Sequence, residues 1–163
     1  MPCATHLQMV DENSCSYTST IYDLKHYIET IGFKVDLHAA IGCRSKPFDS
    51  TSKKYVSGRT YYDHDEPFQR LVQIDEPCVI CAVMTIAHEG GHALHYVQSN
   101  KESQPPCEER ERRAYRLGWK ILKTLSVSFI TREMWKEHHE LYPRRSHTYR
   151  TGRLTPADQG RKG

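Results

Sequence analysis

Val79, Val83, Met84, Ala87, Gly91 and Leu94 recur at i, i+4, i+5, i+8, i+12 and i+15, the signature of one apolar helix face. A helix this apolar is a core helix. Next to the apolar band runs His88-Glu89-Gly90-Gly91-His92. Residues four apart on a helix are separated by one turn and about 40° of rotation, so two histidines at that spacing can reach one ion at about 2.0–2.1 Å from each nitrogen. Glu89 then sits beside the open coordination position. The chemistry this spacing points to is metal-assisted hydrolysis, with a zinc-activated water and Glu89 as general base. Asp75 is the expected N-cap, Pro77 falls in the first turn, and the helix continues through Val97. Gly90 and Gly91 would each cost a helix about 1 kcal/mol relative to alanine. Close packing against a neighbour and room for a substrate both account for them.

A third ligand is needed, and the best source is the segment from Cys107 to Leu122. Ala114, Leu117, Gly118, Ile121, Leu122 and Leu125 define its buried stripe, and Glu111 lies on that stripe. Glu108 is one turn earlier on the same side. Glu109 shares its face with Arg113, Arg116 and Lys120 and is expected to be solvated. A carboxylate facing the core needs a partner or a metal, which makes His88, His92 and Glu111 the candidate set for one Zn²⁺.

With HExxH on one helix, a glutamate on a second and an alanine three residues after it, the chain resembles the gluzincin clan of zinc metallopeptidases. It is most similar to the smallest members and to the ImmA/IrrE-type domains of phages and mobile elements. The resemblance covers roughly residues 55 to 125. It implies that His88, His92 and Glu111 are ligands, that Glu89 is the general base, and that the substrate is a peptide or protein. Members of the clan usually carry Asp or Asn four residues after the ligand glutamate, to support the ligands; this chain has Tyr115 there. The family also uses a His or Tyr to stabilise the oxyanion. His138, His139, His147, Tyr115 and Tyr149 are the candidates, and His95, one turn beyond His92, is a further candidate for supporting the ligands.

Before these helices, Ile21, Leu24, Ile28 and Ile31 mark a first helix, with Thr20 and Asp23 resembling a capping box and Gly32 at C′. Phe33–Leu37 alternates as a strand does. Residues 43 to 53 read as a loop, and segments 55–63 and 69–74 as two further strands. Beyond Leu125 a short connector leads to a last helix from Thr131 to Leu141. The expected architecture is α+β and minimal zincin-like: an N-terminal helix, a small antiparallel sheet, two zinc-bearing helices and a short C-terminal helix. Small gluzincins have a similar order, and an edge strand in the clan commonly holds an extended peptide; Phe68–Ile74 is the expected edge. Residues 1–17 are expected to be loose, 18–142 to form the domain, and 143–163 to be a flexible tail.

That tail carries six basic residues against Asp158, a net of +5, which against +3 for the whole chain leaves residues 1–142 at −2. Such a localised charge suits nucleic acid or an acidic partner, and equally a solubilising extension. Six cysteines include Cys78 and Cys81 in a CxxC, read as small buried residues, with a redox pair as the alternative. No apolar run reaches the roughly 20 residues of a membrane span, and Met1–His6 lacks the pattern of a secretory signal, so a cytoplasmic protein without membrane contact is expected. For a phage-encoded factor this means the host cytoplasm. Two other functional classes stay open: a zinc-stabilised module that binds a host regulator or defence protein without cutting it, and a DNA-associated protease or DNA-binding protein using the basic tail.

Overall fold

The computed structural model describes residues 7–37, 48–49, 54–55, 57–63, 69–76, 78–99 and 107–139. These form α1 (Leu7–Thr30), β1 (Lys34–Leu37), β2 (Phe48–Asp49), β3 (Lys54–Tyr55), β4 (Gly58–Tyr61), β5 (Leu71–Ile74), α2 (Val79–Gln98) and α3 (Cys107–Thr124). A fourth helix, α4, covers 132–139. The chain is therefore α+β. The basic segment 143–163, with His147 and Tyr149, lies outside the described residues.

On α1, Tyr17, Ile21, Leu24 and Ile28 are buried at spacings of four, three and four. The helix ends as expected: Gly32 takes φ +101°, its N–H donates to Glu29 O, and the N–H of Phe33 donates to Ile28 O. Its start differs from the expectation. α1 begins at Leu7, so Thr20 and Asp23 stand inside the helix rather than capping it. No glycine or proline interrupts residues 7–20, so extending an existing helix through them is cheap once its C-terminal half is anchored.

The sheet has the order β1-β5-β4, with β1 parallel and β4 antiparallel to β5. This corrects the expectation of an antiparallel sheet. Alternation fixes which side chains face the core, here Val72 and Ile74 of β5, but says nothing about strand direction. The long excursion between β1 and β5 permits a parallel pairing that no tight hairpin would. β5 is central, so the expected edge at Phe68–Ile74 is also corrected: β1 and β4 are the edges of this sheet. Within the expected loop at 43–53, β2 pairs antiparallel with β3.

α2 opens one turn later than expected. Cys78 is its N-cap, with Sγ accepting from the N–H of Cys81 at 3.4 Å. Asp75, expected in that role, is buried and ties its N–H to Ser57 O at 2.7 Å, linking the end of β5 to the start of β4. The CxxC thus forms a helix start, with both cysteines buried.

The helical glycines have a packing reason. A Cβ on Gly91 would fall 2.4 Å from the carbonyl oxygen of Ala114, and one on Gly118 would fall 2.7 Å from that of Ala87. α2 and α3 therefore touch backbone to backbone. Gly90 faces the side chains of Ile28 and Ile121. α3 is closed by a turn through Ser126 at φ 58°, after which Val127 and Ile130 are buried and lead to α4. Thr131 caps α4, its hydroxyl oxygen accepting from the N–H of Met134, and Trp135 is fully buried against Gly118.

Candidate metal centre

Close contact of α2 with α3 decides what meets across them. Nε2 of His88 lies 3.0 Å from Oε1 of Glu111, and Nε2 of His92 lies 3.1 Å from Oε2. One ligand atom from each of the three residues falls within 4.8 Å of the others. A tetrahedral ion with bonds of about 2.0–2.1 Å spaces its ligand atoms by roughly 3.3 Å, so this donor set is near the size a zinc ion requires. Two imidazole nitrogens and a carboxylate also match its chemical preference. The residues fit one metal ion. Glu111 is the most exposed of the three, its side chain at 24 % against 11 % for His88 and 2 % for His92, so the centre is reached from its side.

Behind His88, the site is closed by α4. Nδ1 of His88 lies 2.8 Å from Nε2 of His139, whose Nδ1 lies 2.7 Å from the carbonyl oxygen of Trp135. His139 is buried, and burial together with the neighbouring His88 pushes its pKa down to about 3. Tyr115, four residues after Glu111 on α3, packs towards α4. Its ring meets His139 edge-on at 4.8 Å and tilts against Trp135 at 5.7 Å, so it packs the residue that touches His88.

Glu89 stands on the β4 side of α2. The hydroxyl of Thr60 donates to its Oε1 at 2.6 Å and lies 3.2 Å from its backbone carbonyl. Gly58, on the same face of β4, permits this approach, because a Cβ there would fall 2.7 Å from Thr85 Cγ2 and 3.1 Å from Glu89 Cγ. A carboxylate only 4 % exposed needs such a donor. Thr60 was not among the residues expected from sequence; the alternation of β4, with Gly58 and Thr60 on one face, was the available signal.

The remaining candidates separate clearly. Nε2 of His95 accepts from Arg113 at 2.8 Å, and Arg113 also donates to Glu109, so His95 belongs to a clamp between α2 and α3. Burial, then Arg113, lowers its pKa. The guanidiniums of Arg113 and Arg112 hold the Glu109 carboxyl down at about 2, in the polar face expected for it. Glu108, expected on the inner side, is exposed. His138 is buried with its ring 5.2 Å from that of His139. Comparison of the chain with family models, with curated proteins and with solved structures found no match. Among the described residues no helix is long and apolar enough to cross a membrane.

Proposed function

We propose that the chain is a zinc-dependent peptidase of the kind its resemblance to gluzincins implies. The observation that carries the reading is the convergence of His88, His92 and Glu111 from two helices, with Glu89 next to His88 on α2 and held by Thr60. Zinc bound there would lower the pKa of a water towards about 7 and polarise the scissile carbonyl. Glu89 takes a proton from the attacking water and delivers it to the departing nitrogen, so the peptide leaves as a carboxylate and an amine. Thr60 keeps the Glu89 carboxylate aimed during that exchange. β4, the sheet edge that carries Thr60, is the surface along which an extended peptide would lie.

The test is Glu89→Gln, assayed by mass spectrometry for new termini in a pool of peptides digested by zinc-loaded protein. Wild type should cleave, and the variant should keep its zinc while cleavage falls by about 100-fold or more. Equal cleavage by the variant, or none by the zinc-loaded wild type, would overturn the peptidase reading and favour a binding module.

A further inference from the structure

We propose that His139 is a positioning residue for the metal centre: it fixes the tautomer and the ring orientation of His88 from a helix that supplies no ligand. This rests on the metal-site reading above and adds α4 to that site.

A carbonyl oxygen can only accept, so the 2.7 Å contact with Trp135 O puts the proton of His139 on Nδ1. With Nδ1 donating to that carbonyl, the other ring nitrogen, Nε2, is the one that faces His88 and can accept from it. The 2.8 Å contact with His88 is satisfied when Nδ1 of His88 carries the proton and donates it. Nε2 of His88 is then left with its lone pair, turned towards Glu111 at 3.0 Å. That lone pair and the carboxylate oxygen repel each other unless a cation stands between them. The chain Trp135 O, His139, His88 thus presets the nitrogen that must be unprotonated for a metal to bind.

The packing around His139 has the stiffness this role needs. Its ring lies 4.2 Å from that of Trp135 and 4.8 Å from that of Tyr115, and Trp135 is fully buried. Trp135 and His139 are four apart on α4, so the carbonyl that orients His139 belongs to its own helix turn. The family pattern places the supporting group on the ligand glutamate's helix, four residues further on. Here that position, Tyr115, buttresses His139 with its ring, and the hydrogen bond to His88 comes from α4 instead.

The experiment compares wild type, His139→Phe and His139→Gln in full-length protein, each titrated with zinc against a chromophoric chelator. His139→Phe keeps a ring among Trp135 and Tyr115 but offers no acceptor; His139→Gln restores an acceptor. Zinc affinity should fall by about 10- to 100-fold in the Phe variant and recover most of that loss in the Gln variant. In parallel, proton NMR of the zinc-loaded wild type should show a slowly exchanging imidazole N–H from His88, absent from the Phe variant. Unchanged affinity in His139→Phe overturns the proposal, and so does an equal loss in both variants, which would mean that an acceptor at this position does not support His88. Failure of the wild type itself to take up zinc is a separate result: it overturns the metal-site reading and this proposal with it.

Discussion

Gly91 and Ala114 meet so closely that a Cβ on Gly91 would sit 2.4 Å from the Ala114 carbonyl oxygen. This contact sets the distance between α2 and α3 one turn from the place where His88 and His92 meet Glu111. Gly91→Ala should therefore force the helices apart. A backbone oxygen cannot move aside as a side-chain tip can, so the cost should reach the upper part of the usual range of about 1–3 kcal/mol for overpacking, leaving about 1–2 kcal/mol after the alanine's helix preference of about 1 kcal/mol. At about 2–4 °C per kcal/mol, thermal unfolding should show a drop of roughly 2–8 °C, with weaker zinc retention. Gly90→Ala, which meets only the side-chain ends of Ile28 and Ile121, should be the milder change.

Thr60 tests the aim of Glu89. Thr60→Val keeps the shape and removes the donor at 2.6 Å. Hydrogen bonds to charged groups contribute about 1.5–3 kcal/mol, so peptide cleavage should fall by roughly 10- to 100-fold while zinc content stays at the wild-type level. Thr60→Ser, which restores the hydroxyl, should recover most of the rate. A Val variant as active as wild type would remove Thr60 from the mechanism.

His95 predicts a pH dependence of stability. Arg113, Arg110 and Glu109 face it from α3 and His92 from α2; burial and the guanidiniums outweigh Glu109 and hold its pKa below the usual 6.5. Below pH 6.5 the unfolded chain therefore binds more protons at this position than the folded one, and stability falls as the pH is lowered. In the presence of a chelator, the unfolding temperature of wild type should drop between pH 7 and 5.5. His95→Gln, which can still accept from Arg113, should show a shallower drop; parallel curves would contradict the assignment.

How far the sequence could be read follows from what each element answers to. The phase of α3 told Glu111 from Glu109, because Ala114, Gly118, Ile121 and Leu122 define one buried face and the glutamates fall on different sides of it. The same phase misplaced Glu108, since a residue in the first turn of a helix has little packed above it. Strand direction in the sheet was illegible, because the pairing of β1 with β5 is a contact between distant segments that alternation does not encode. His139 was named in sequence only among several oxyanion candidates. Its contact with His88 depends on where the connector Leu125–Ile130 delivers α4, and a turn through Ser126 at φ 58° is not announced by a glycine. The cap at Cys78 rather than Asp75 has a similar origin: Asp75 is drawn into the sheet through Ser57.

The central claim is that one zinc is held by His88, His92 and Glu111, and zinc stoichiometry across a set of variants tests it most directly. Wild type should bind one zinc per chain, and Glu109→Ala, which disturbs only the surface pairs with Arg112 and Arg113, should do the same. Glu111→Ala and His92→Ala should each weaken retention by more than about 100-fold, beyond the range of a supporting residue. Zinc lost on changing Glu109, or retained after changing Glu111 and His92 together, would contradict the site.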